Sequence, residues 1–160
     1  MPAASVPFLA AAFLLVAAGG AKLLRPDELA GALRVAGLPA GRWLVRFGAA
    51  AEAGVGAAAL ALPGAATASL VAASYTAFAA FVGLAIRRGW PIASCGCFGR
   101  PDTKPGYPHL LLDAGAAAAA ASWAASGPPT AAHVFVQGAV LLLTAVVSGL
   151  SYLAWTARWA

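Results

Sequence analysis

Long apolar runs broken by short polar segments dominate this chain. Residues 3–21 form the first run. An α-helix needs about 20 such residues to cross the hydrocarbon of a bilayer. Residues 43–62, 65–86 and 132–152 form further runs of spanning length, and 109–125 is a shorter, alanine-rich one. The pattern predicts an all-α fold: a polytopic transmembrane helical bundle of four to five spans, with residues 1–160 as a single integral membrane domain. Pro63-Gly64 and Gly127-Pro128-Pro129 mark tight turns. Arg25-Pro26-Asp27-Glu28 opens a polar segment in which Leu29, Leu33 and Val35 fit a short helix on the membrane surface, ending near Gly37-Leu38-Pro39. An ordinary connecting loop is the other reading of that segment. The first run is expected to be a transmembrane helix rather than a secretory signal, because no cation precedes it while Lys22 and Arg25 follow it.

Composition points the same way. The chain is 62% hydrophobic and 9% charged, against about 25% charged in soluble domains. Its net charge of +5 comes without a basic run or an RNA-binding aromatic motif, so nucleic acid is not an expected partner. The ten Lys and Arg residues fall in three places: Lys22 to Arg46, Arg87 to Lys104, and Arg158. In a five-helix chain all three lie on one side, which the positive-inside rule makes cytoplasmic. The expectation is a multi-pass plasma-membrane protein with its N-terminus outside and its C-terminus in the cytoplasm. Trp90, Trp155 and Trp159 fit interfacial anchors.

Both cysteines sit in one polar break, Ser94-Cys95-Gly96-Cys97-Phe98-Gly99, inside a loop over residues 87–108. Thiols at i and i+2 permit a strained, easily reduced disulfide, exchange with a partner's thiols, or binding of a soft metal. Plain packing as small apolar side chains is the alternative. The four-cysteine pattern of a closed zinc site is absent, and no metal is assigned. On the cytoplasmic side thiols are normally reduced, so a transient catalytic disulfide fits better than a structural one.

Three further groups stand out because ionisable side chains within a span are expensive unless paired, protonated or facing a cavity. Glu52 lies near the middle of the second run and Asp113 lies in the fourth. Glu52 is expected to carry protons, to pair with Lys22 or another cation, or to tie helices together by a buried hydrogen bond. Gly54 and Gly56 nearby would allow close helix approach. His109 and Asp113 are four apart and share a helix face. His109 is a candidate to tune a cysteine or shuttle a proton, or is an ordinary interfacial histidine. Ser69, Ser74, Tyr75 and Thr76 are read as packing contacts without chemistry.

The pattern resembles the methylamine-utilisation MauE family, within the wider DoxX-like membrane proteins. Gly19-Gly20-Ala21-Lys22-Leu23, Leu29-Ala30-Gly31-Ala32-Leu33-Arg34, Glu52 in a glycine-containing span, and Ser94 to Gly99 carry the resemblance, which covers roughly residues 8 to 125. It implies a DoxX-like four-helix core with an added C-terminal helix. It also implies redox maturation of methylamine dehydrogenase, whose small subunit carries many disulfides, together with a thioredoxin-like protein partner. Cys95 and Cys97 would then be the redox pair of a thiol–disulfide oxidoreductase. Lys22 and Glu52 match family positions without an assigned role. Many relatives carry an Arg-Asn pair where this chain has Leu112-Asp113.

Three functional readings follow. The first is a membrane thiol–disulfide relay, with a quinone as a candidate electron acceptor. The second is a soft-metal carrier using Cys95, Cys97 and His109. The third is a non-catalytic scaffold for a redox partner.

Overall fold

The computed structural model describes residues 5–91 and 106–126. Among the described residues five helices follow in chain order: α1 (Ser5–Leu24), α2 (Pro26–Val35), α3 (Arg42–Ala61), α4 (Ala65–Arg88) and α5 (Tyr107–Ala125). No strand occurs among the described residues. The fold is all-α, and α1, α3 and α4 are each long and apolar enough to cross a membrane. The cysteine pair, the run at 132–152 and the C-terminal tryptophans lie outside the described residues.

Local chemistry explains the helix limits. Pro26 at the first position and Asp27 and Glu28 in the first turn favour the start of α2. The polar segment is therefore a helix rather than a loop. Gly37, at φ 72°, ends it, and the Leu38 amide donates back to the Leu33 carbonyl at 2.9 Å. At the start of α4 the Gly64 amide donates to the Thr67 hydroxyl oxygen at 3.0 Å. The loop expected from residue 87 begins two residues later: Arg87 and Arg88 form the last turn of α4, where cations suit the helix dipole. Gly89 does the stopping, at φ 59°. α1 likewise runs past the first apolar run and takes in Lys22.

Small residues bring α1 and α3 together as antiparallel neighbours. A Cβ added at Gly19 would lie 2.7 Å from the Ala49 carbonyl oxygen and the Ala53 amide. One added at Gly56 would lie 2.6 Å from the Ala12 carbonyl oxygen. Without a hydrophobic force between helices in lipid, such close backbone contact supplies van der Waals attraction. Gly54, by contrast, faces open space and contributes no contact of this kind.

The second close pair is α4 with α5, and the two pairs meet along a shared core. Phe8 of α1 stacks on Trp123 of α5 with ring centroids 4.4 Å apart. Both rings are fully buried with Leu15 and Val71. The Tyr75 hydroxyl donates to the Ala11 carbonyl at 2.9 Å, joining α4 to α1. The hydroxyls of Ser69, Ser74 and Thr76 donate to carbonyls one turn back in their own helix. α2 lies across one end, where Ala32 packs with Ala85, Phe81 and Trp90. That end also gathers Arg25, Arg34, Arg42, Arg46, Arg87 and Arg88.

Candidate functional site

A buried ion pair joins α1 to α3. The Lys22 ammonium donates to both carboxylate oxygens of Glu52, at 2.8 and 2.7 Å. The two side chains are 5% and 8% exposed. Helix geometry explains how they meet. The register set by Gly19 and Gly56 places Glu52 about one turn deeper in the bundle than Lys22. Helical side chains lean toward their own N-terminus, and the two helices are antiparallel. Lys22 therefore leans inward, Glu52 leans outward, and the gap closes.

The charges are neutralised within the pair, which is what makes their burial tolerable. A further contact holds the cation: the ammonium lies over the Phe78 ring, 4.6 Å from its centroid. Sequence reasoning counted Lys22 among the cations that set topology and also named it as a possible partner of Glu52. The structure places it in α1 and forms that pair, one of the alternatives open for Glu52.

This pair lines a cavity of about 430 Å³. Leu29 and Leu33 of α2, and Phe78 and Phe81 of α4, give it apolar and aromatic walls. Lys22 and Glu52 are the charged side chains among its lining residues. Ser74 adds a hydroxyl whose proton is already committed to the Leu70 carbonyl at 2.9 Å. Sequence reasoning missed the cavity walls. The signal was present in the Leu29–Leu33 spacing, but nothing in the sequence shows that α4 would face it.

Asp113 and His109 lie on α5, half-buried, in its first two turns. Asp113 is within electrostatic reach of both His109 and Lys22. His109 Nδ1 and Asp113 Oδ2 are buried without hydrogen-bond partners among the described residues. The structure thus joins Lys22 directly to Glu52 and places Asp113 within electrostatic reach of Lys22. Cys95 and Cys97 fall outside the described residues, and so does any relation between them and His109. The segment that carries them leaves α4 at Pro91 and returns at Gly106.

Stacked helices of spanning length, close glycine contacts and a neutralised ion pair in the interior define a helical integral membrane protein. The sequence profile described as Methylamine utilisation protein MauE matches residues 2–127. The chain belongs to the MauE family, and so to the membrane proteins of methylamine utilisation. No curated protein and no solved structure matches it.

Proposed function

We propose that this chain is a membrane thiol–disulfide relay that supports maturation of methylamine dehydrogenase, working with a thioredoxin-like partner. Membership of the MauE family carries the reading, joined to a Cys95-Gly96-Cys97 pair in the segment between α4 and α5. A thiolate of Cys95 or Cys97 attacks the partner's disulfide, forming a mixed disulfide and releasing one partner thiolate. The second cysteine then attacks the mixed disulfide. It closes the Cys95–Cys97 bond and frees the partner's other thiolate. Two electrons have passed from the pair to the partner. Run in reverse, the same steps oxidise the partner and leave the pair as a dithiol. A lipid-soluble quinone, taking two electrons and two protons, returns that dithiol to the disulfide.

The bundle's role in this reading is to hold the pair at a water boundary of the plasma membrane. The cation-rich end, with Arg87 and Arg88 closing α4, faces the cytoplasm by the positive-inside rule. The relay then carries electrons between that face and an exported client. Labelling with a membrane-impermeant maleimide, with and without reductant, tests this. Modification of Cys95 and Cys97 is expected after permeabilisation and not in intact cells, with more label after reduction. A Cys95→Ser, Cys97→Ser double variant that complements a null strain as fully as the parent would eliminate the relay.

A further inference from the structure

We infer that the cavity bounded by α2, α3 and α4 is a binding site for a neutral, lipid-soluble ring carbonyl compound of the quinone class. Four observations select that chemistry. The volume of about 430 Å³ falls within the roughly 300–1,000 Å³ of small-molecule sites. The walls are apolar, and Phe78 and Phe81 give them an aromatic side suited to a planar ring. The lining charges cancel, because Lys22 and Glu52 neutralise one another, so the lining carries no net charge to hold an ionic head group. A hydrogen-bond donor remains. Lysine carries three N–H groups, and Lys22 gives two hydrogen bonds, both to Glu52. The third N–H has no hydrogen-bond acceptor among the described residues and is available to a ring carbonyl oxygen.

The inference deepens the relay by giving its electron acceptor a place, but binding does not require the thiols. Cys95→Ser, Cys97→Ser protein is therefore the right material for the first test, since it separates failure of this site from failure of the relay. Menadione is titrated onto the full-length chain in lipid nanodiscs, with empty nanodiscs as the reference. Saturable binding above the empty discs is expected. Gly48 offers a clean way to close the site. It lines the cavity, and a Cβ there meets nothing within 4 Å. Gly48→Leu should therefore fill the cavity without disturbing helix packing and weaken binding at least roughly tenfold. The paired change Lys22→Met with Glu52→Leu removes the donor while leaving no unpaired charge. It should reduce the preference for menadione over 2-methylnaphthalene, which lacks the carbonyls. The inference is overturned by the absence of saturable binding, by unchanged affinity in Gly48→Leu, or by competition from decanoate as strong as that from menadione itself.

Discussion

Adding one methyl group at Gly19 tests whether the α1–α3 contact is as tight as its geometry. The new Cβ of Gly19→Ala would sit 2.7 Å from two backbone atoms of α3, the Ala49 oxygen and the Ala53 nitrogen. Ordinary contact begins at 3.4 Å, so the helices must part by about 0.7 Å. Neither backbone atom can rotate away. Overpacking of this kind costs about 1–3 kcal/mol. The gain from replacing glycine by alanine in a helix, about 1 kcal/mol, offsets part of it. The net expectation is a loss of up to about 2 kcal/mol, a fall of up to about thirty-fold in the folded-to-unfolded ratio. Lys22 lies one turn along the same face, so parting the helices also stretches hydrogen bonds now at 2.7 and 2.8 Å. Gly54→Ala is the matched control, since a Cβ there meets nothing within 4 Å; it should be neutral or stabilising by up to about 1 kcal/mol. Gly56→Ala, two residues away, should resemble Gly19→Ala because its Cβ would meet Ala12 and Val16. Reversible unfolding in mixed micelles measures all three. Equal stability of Gly54→Ala and Gly56→Ala would refute the reasoning.

The ion pair predicts non-additivity. Lys22→Met alone, or Glu52→Leu alone, should lose about 3–5 kcal/mol by leaving one buried charge unpaired, while the double variant recovers most of that loss; a thermodynamic double-mutant cycle reads it. Tyr75→Phe removes the bond to the Ala11 carbonyl and should lower stability by about 0.5–1.5 kcal/mol in the same unfolding assay. Arg42 holds Asp27 through two hydrogen bonds at 2.7 and 2.9 Å, but both side chains are exposed. Asp27→Asn should therefore change stability by less than about 1 kcal/mol, and less still at high salt.

Much of the helical architecture was legible because bilayer length and hydropathy constrain it directly. The polar breaks at Pro63-Gly64 and Gly37-Leu38-Pro39 were readable as turns for the same reason. Packing was not. Gly54 and Gly56 look alike in sequence, yet two residues turn a helix by about 200°, so one meets α1 and the other faces away. The stacking of Phe8 on Trp123 joins two distant helices, and no local pattern encodes it. Lys22 ends an apolar run and was placed after the first span, while its pairing with Glu52, 30 residues away, was one of several readings; only the helix register selects it. Asp113 and His109 were recognisable as a shared face, whereas the approach of Asp113 to Lys22 required the bundle itself.

The pairing of Lys22 with a carboxylate 30 residues downstream also bears on biogenesis. When Lys22 emerges from the ribosome its counter-ion, 30 residues behind, has not yet followed it out. At about 5–20 residues per second, that interval lasts some seconds. Lys22 is two residues from the end of α1, so its flexible stem can keep the ammonium among lipid head groups during the wait. The arrival of Glu52 then draws the cation inward, and the first helix reaches its final depth as half of a hairpin rather than as a solitary insert.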